Sequence, residues 1–183
     1  MKARLARTVS RLAAAGCDFF VCPDNTAHIA LEAEGSPLPL PGLHIAEIVA
    51  QRAKAEARCC VGLLGTRWTM TGPVYPRAFT RAGLDMRTPP AEDFGIVNDV
   101  IFQELCQGVI RDESRVECLR IIHDLKRSGC DAVALSCTEL PLLVTPDVSP
   151  LPTLDSTRLL AQAAVAVACG DAALPVWRGG PFV

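Results

Sequence analysis

The chain has almost no excess of either charge: 18 basic and 20 acidic side chains among 183 residues leave a net −2. Proteins that grip nucleic acid by its phosphates carry a basic stripe or patch, so that class of partner is not indicated. Long apolar runs are missing too. The richest stretch, residues 159–169, is too short to cross a bilayer and has Gln162 inside it, so no membrane is expected either. The opening does not read as a signal or transit peptide, because Arg4, Arg7 and Arg11 recur at helical spacing between Leu5, Val9 and Leu12, as in an amphipathic helix. The nine cysteines contain no CxxC pair and no Cys/His ligand spacing, so no metal site is expected. Several of them lie in apolar runs such as CDFFVC, CCVGLL and CDAVALSC, where a reduced cysteine packs as a small hydrophobe, and a reducing cytoplasm is the simplest compartment. Neither GxGxxG nor GxxxxGK followed by Ser or Thr occurs, which leaves nucleotide binding poorly supported.

What is present is an alternation of short apolar runs with longer amphipathic ones, the pattern of parallel strands covered by crossover helices. It predicts an α/β fold with buried strands over 18–22, 60–64, 84–88, 132–136 and a short extended piece at 151–154. Helices are expected over 2–15, 26–34, 45–57, 74–82, 94–108, 113–128 and 156–168, with Asp112 as a cap for the sixth of these. Two phrases resemble one another, AAGCDFFVCPDNTAH and RSGCDAVALSCTELP: each leads from a helix end through Gly-Cys-Asp and an apolar strand to a polar cluster with a threonine. Matching βα units of this kind would present their polar strand ends across a cleft, where open α/β sheets bind ligands. The Pro-rich segment 36–41 and the segment 145–152 are the expected crossings between two lobes.

Three clusters could carry chemistry. In Pro23-Asp24-Asn25-Thr26-Ala27-His28 a carboxylate, an amide and a hydroxyl emerge where a helix begins, a setting that suits an anion such as a substrate carboxylate and equally suits plain helix capping. In Ser136-Cys137-Thr138-Glu139-Leu140-Pro141 a cysteine stands before a helix, whose dipole would stabilise a thiolate for nucleophilic or acid/base work; packing is the alternative role. In Gly62-Leu63-Leu64-Gly65-Thr66 a strand ends in a glycine and a hydroxyl, so Thr66, and Thr69 beyond it, could donate into a cleft. His28, His44 and His123 are not fixed beside a nucleophile by the sequence; His28 is positioned to support the Asp24 cluster from behind and His123 to lie on a helix surface.

Taken in this order, the clusters resemble the aspartate/glutamate racemase family, whose members carry Cys-Asn-Thr-Ala-His after an apolar strand, a Leu-Gly-Thr strand end, and Gly-Cys-Thr-Glu-Ile/Leu-Pro-Leu-Leu. Leu154-Asp155-Ser156-Thr157 looks like the family's closing motif, and the match spans most of the chain. The resemblance implies a racemase that needs no cofactor, two similar α/β lobes, a cleft between them, and a homodimer. It implies Asp24 and Cys137 as the facing acid/base pair that removes and returns the Cα proton of an aspartate- or glutamate-type substrate, with Asn25, Thr26, Thr66, Thr69, Thr138 and Glu139 binding it. Two departures from the pattern stand out. Asp24 occupies the place of the family's first cysteine, and a carboxylate of ordinary pKa, roughly 3.9, is a weak base unless burial raises it; Cys22, two residues earlier, is a substitute of lower rank. Family members also begin with a further strand, Gly-rich loop and helix, so the first lobe is expected to be truncated: residues 1–45 with 151–170, against a second lobe of 46–150 and an irregular tail of 171–183. A decarboxylase or isomerase working through Cys137 alone, or an inactive shortened relative, are the competing readings.

Overall fold

Apolar runs without polar alternation form strands buried on both faces, and two such runs make the centre of this molecule. In the computed structural model, which describes residues 1–182, the elements are α1 (Lys2–Ala14), β1 (Phe20–Val21), α2 (Ala27–Leu31), β2 (Gly42–Leu43), α3 (Ile45–Ala55), β3 (Cys60–Gly65), α4 (Arg67–Thr71), α5 (Val74–Ala82), β4 (Asp85–Arg87), α6 (Ala91–Asp99), a π-helical turn (Val100–Glu104), a 3-10 turn (Leu105–Gln107), α7 (Asp112–Arg127), β5 (Ala132–Ser136), α8 (Leu140–Leu143), β6 (Thr153–Asp155) and α9 (Ser156–Ala168). They build two parallel sheets flanked by helices, one of four strands in the order β4-β3-β5-β6 and one of two, β1-β2. The α/β fold expected from the sequence is the one formed.

Every residue of β3 and β5 is buried. Alternation along them feeds two cores: Leu64, Val133 and Leu135 join Ile121, Ile122 and Leu125 of α7 on one face, while Val61, Leu63, Ala132 and Ala134 join α3 and α5 through Val49, Tyr75 and Phe79 on the other. Asp131 ties the two strands together where they begin, its carboxylate accepting from the backbone N–H of Cys59 at 2.7 Å and of Cys60 at 3.3 Å. The two strands also approach closely where they end. A Cβ on Gly65 would stand 2.8 Å from the carbonyl oxygen of Ser136, so the glycine of the Leu-Gly-Thr phrase is required by packing.

Several expectations are corrected. The strand expected over 18–22 shrinks to Phe20–Val21, and β2 was not foreseen; it grows out of the Pro-rich segment, which therefore returns the chain within the small sheet instead of crossing between lobes. The segment 145–152 likewise leads from α8 to β6, whose pairing with β5 puts residues 153–155 in the large sheet, not with the first lobe. The helix expected over 94–108 gives way to α6 and two irregular turns, because a π-helical turn interrupts the ladder at Val100. Asp112 is the first residue of α7 and does not cap it; its carboxylate pairs with Arg115 one turn on.

The expected tail has neither helix nor strand over residues 171–182, yet it is not loose; Val183 lies outside the described residues. Trp177 is buried with Phe20, Leu31, Leu38 and Leu40, and its carbonyl accepts from the Gly42 N–H while that of Arg178 accepts from Leu38. His28 and Phe182 stack on the Trp177 ring, and His44 meets it edge-on. A polar network pins this assembly to the large sheet's helices: His44 Nε2 bonds Glu32 Oε1 at 2.7 Å, and Arg77 of α5 pairs with both Glu32 and Glu47. No helix among the described residues is long and apolar enough to cross a membrane.

Candidate active site

β3 and β5 are parallel neighbours and end on the same side, and the Asn25–Ser156 and Thr26–Thr66 hydrogen bonds bring the polar residues that follow β1, in the other sheet, to the same place. Asp24, Asn25 and Thr26 after β1, Thr66 after β3, and Ser136, Cys137, Thr138 and Glu139 from β5 line one cavity of about 320 Å³. Of the residues expected from the sequence, Thr69 and the lower-ranked Cys22 are not in its wall; Thr69 sits directly behind. Thr26, Thr66 and Thr69 form a triangle of hydroxyls with Oγ1 separations of 2.9, 3.2 and 3.1 Å, and Thr66 also caps α4 by accepting from the Thr69 N–H. The protons of such a triangle can rotate toward a carboxylate bound beside it.

Asn25 is held from behind. Its amide carbonyl accepts from the Tyr75 hydroxyl at 2.6 Å, and its amino group donates to Ser156 Oγ at 3.0 Å. Ser156 in turn donates to the carbonyl of Leu135, the residue before Ser136. This buried relay couples the end of β1 to the end of β5. It also explains the Leu-Asp-Ser-Thr phrase, in which Asp155 caps α9 by accepting from the N–H groups of Thr157 and Arg158 while Ser156 bridges the two strand ends.

Asp24 is exposed at the cavity, and its Oδ1 accepts from the Ala27 N–H at 3.0 Å, so the capping role is real and coexists with access to the cavity. His28 fixes the same loop from the interior. Its Nδ1 lies 2.9 Å from the Asp24 carbonyl, and its Nε2 accepts from the Ile45 N–H at 3.3 Å, which sets the tautomer: the proton is on Nδ1. Burial, with the neighbouring His44 second, pushes the His28 pKa down to about 3, so the ring stays neutral. Cys22 packs against the small core with Phe20 and is not in the cavity wall; burial raises its pKa.

Cys137 departs from expectation in its charge state. Its thiol donates to Glu139 Oε2 at 2.9 Å, and burial together with that carboxylate pushes its pKa up to about 12. The helix that was to stabilise a thiolate is the single turn α8, and the backbone N–H groups of Glu139 and Leu140 are outweighed. Burial opposes ionisation of Glu139, but the hydrogen bonds from Cys137 and from Thr138, the latter at 2.7 Å, hold its pKa below the ordinary carboxylate value. The resting pair is therefore a neutral thiol leaning on a carboxylate.

The rest of the wall escaped the sequence reading. Trp68 of α4, Ile101 and Phe102 of the π-helical turn, and Cys106 close the cavity, with Trp68 and Phe102 edge to face at 6.0 Å. Ser136 Oγ is buried in the wall without a hydrogen-bond partner. In the sequence Ile101 and Phe102 look like any apolar positions of a helix; the π turn that redirects them leaves no compositional mark, though such turns recur at functional sites.

Two parallel α/β sheets thus meet at one cavity lined by a thiol, two carboxylates and several hydroxyls, and comparison with known proteins gives the class to which this architecture belongs. The chain belongs to the Asp/Glu/Hydantoin racemase family, whose model matches residues 1–164, and is by that membership an isomerase. It is 25% identical over 171 residues to the broad-specificity amino-acid racemase RacX of Bacillus subtilis, covering 90% of this chain and 71% of that one. Among solved structures, a Yersinia pestis protein assigned to the Asp/Glu racemases superposes with a TM-score of 0.81 at 33% identity, covering 92% of this chain and 74% of that one. An aspartate racemase homologue from Pyrococcus horikoshii gives 0.79 at 26% identity, with the same 92% and 74% coverage.

Proposed function

We propose that this chain interconverts the enantiomers of an amino acid by moving the Cα proton between Asp24 and Cys137, without an organic cofactor. The observation that carries the reading is that these two residues, each following the strand of one of the two similar phrases, line the same cavity. In one direction the Asp24 carboxylate takes the proton from Cα, the electron pair left on carbon is delocalised into the substrate carboxylate, and the Cys137 S–H delivers its proton to the opposite face. The products are a protonated Asp24, a Cys137 thiolate and the inverted amino acid. Release of the proton from Asp24 to solvent and uptake of one by the Cys137 thiolate reset the pair.

Hydroxyls of Thr26 and Thr66, and that of Thr138 once it turns from Glu139, receive the substrate carboxylate, where charge builds up as the proton leaves. Asn25, Thr69 and His28 act as positioning residues, since their polar groups are engaged with the framework. Glu139 and Asp24 face the ammonium group, whose positive charge offsets the cost of a thiolate beside Glu139. A thiol whose pKa is raised to about 12 gives up its proton reluctantly, but its thiolate is a strong base for the reverse direction. A homodimer is part of the same reading.

Racemisation of L- and D-amino acids, aspartate and glutamate included, can be followed by chiral chromatography. Wild type should convert at least one pair in both directions, and Cys137→Ala should slow that conversion by roughly 10²–10⁴-fold, the usual worth of a positioned acid or base. Turnover unchanged in Cys137→Ala would remove the thiol from the mechanism.

A further inference from the structure

Resting on that reading of the cavity, we infer that Trp177, in the segment after α9, is a positioning residue for Asp24 and not for Cys137. It sets the Asp24 loop through the His28 ring, so proton transfer on one face of Cα depends on the tail and transfer on the other face does not. Asp24 has little backbone to hold it. β1 contributes two residues and one ladder, to β2, whereas Cys137 follows β5, which is paired by β3 on one side and β6 on the other. The Asp24 carbonyl is fixed by His28 Nδ1 at 2.9 Å, and the ring is fixed by a second bond, from the Ile45 N–H to Nε2 at 3.3 Å. The two nitrogens move together when the imidazole turns, so both bonds are kept in one orientation of the ring.

Ring packing sets that orientation. Trp177 is stacked on His28, with 6.1 Å between centroids and 12° between planes, while His44 meets the two rings edge-on at 4.6 and 4.7 Å. Trp177 is itself fastened. Its carbonyl accepts from the Gly42 N–H at 2.8 Å, its indole N–H donates to the Gly180 carbonyl at 3.1 Å, and the Gly180 N–H donates to the Leu31 carbonyl at 2.8 Å. Phe182 stacks on the indole at 5.7 Å and lies under the guanidinium groups of Arg77 and Arg81, each 4.9 Å from its centroid. A contiguous path of packed rings and hydrogen bonds therefore runs from α5 through the tail to the carbonyl of Asp24. Removing the indole opens a void against a fully buried imidazole, which gains room to turn and to drop one of its two bonds. A displacement of about 1 Å at a reacting group can cost on the order of 100-fold in rate, so a side chain outside the cavity wall can govern the Asp24 half of the reaction.

The test is wash-out of the Cα proton in deuterated buffer, followed by NMR on single enantiomers of aspartate, glutamate, alanine and lysine for wild type, Asp24→Asn, Trp177→Ala, Trp177→Phe and Val9→Ala. Asp24→Asn identifies the enantiomer that Asp24 serves, as the one whose wash-out disappears. Trp177→Ala is expected to slow wash-out of that enantiomer by about 10–100-fold and of the other by less than about threefold, and Trp177→Phe, which keeps a ring to stack, should recover most of the loss. Val9→Ala trims the same small core from α1, which bears none of the stacked rings, and should leave the ratio of the two rates at its wild-type value. Should Trp177→Ala not fold, Phe182→Ala, which strips only the outer ring, takes its place with the same skew in smaller measure. Equal slowing of both enantiomers by the tail variant that folds, or the same skew in Val9→Ala, would overturn the inference and leave the racemase reading intact. Wash-out absent from wild type with every substrate would bring down that reading and the inference with it.

Discussion

The strands β1 and β5 are introduced by the same Gly-Cys-Asp phrase and end in comparable polar clusters, yet they live in different surroundings. β5 has partners on both sides and helices on both faces, and all five of its residues are buried. β1 has one partner, two residues, and a side chain, Val21, that is 41% exposed. The acidic residues of the two phrases differ in the same sense: Asp131 holds the N–H groups of Cys59 and Cys60, while Asp18 is exposed. A strand at the centre of a sheet is positioned by its ladders. The Asp24 loop after β1 is positioned by side chains instead: the His28 ring, the Asn25–Ser156 relay, and the tail stacked on His28 through Trp177.

If that contrast is right, damage to the large sheet should unfold the molecule and damage to the small one should act locally. Leu63→Ala, at a fully buried β3 position, should cost about 2–5 kcal/mol in denaturant unfolding and lower the stability of both sheets together. His28 gives the next largest effect, through pH. Its folded pKa of about 3 lies below its ordinary value of 6.5, so between those limits the unfolded chain binds the extra proton. Stability should therefore fall as pH drops from about 6.5 toward 3, by on the order of 3 kcal/mol near pH 4, with His28→Gln showing a flatter profile at the cost of some stability at pH 7. A slope unaltered by that substitution would assign the acid sensitivity elsewhere.

Gly42→Ala attacks the small sheet alone. The added Cβ would lie 2.4 Å from the Phe20 ring, which must move, so a loss of about 1–3 kcal/mol is expected, read by hydrogen exchange as faster opening of residues 20–43 than of β3 and β5. Equal acceleration in both sheets would mean that they form one cooperative unit. At the bottom of the scale, Val21→Ala on the exposed side of β1 should change stability by less than about 0.5 kcal/mol.

The same contrast explains what could be read in the sequence. Elements whose burial is set locally were legible: β5, α5 and α9 occupy the residues expected of them, because continuous apolar runs and amphipathic periodicity report burial directly. β2 was not, since two residues between prolines and a helix have no period; what makes them a strand is Phe20 on one side and the Trp177 carbonyl, from the far end of the chain, on the other. Asp24, Thr26, Thr66, Cys137, Thr138 and Glu139 could be picked out as candidates because polar residues at strand ends have few structural duties. Phe102 could not, because an apolar residue in a helical stretch looks like core until the π-helical turn shows which way it faces, and Trp68 could not, because it stands on α4, a short helix that the sequence does not announce. The charge state of Cys137 was hidden for a related reason: the sequence shows a cysteine before a helix, but not that the helix is one turn long and that the thiol leans on Glu139.

The central claim is that Asp24 and Cys137 serve opposite faces of Cα, and single-direction isotope exchange tests it most directly. With one enantiomer at a time in deuterated buffer, Cα deuterium is measured by NMR in the recovered substrate and in the inverted product for wild type, Asp24→Asn and Cys137→Ala. The account expects deuterium chiefly in the inverted product of the wild type, loss of racemisation in both variants, and residual wash-out of the Cα proton from only one enantiomer in each, the opposite one for the two variants. Racemisation that persists in Asp24→Asn, or wash-out from the same enantiomer in both variants, would contradict it.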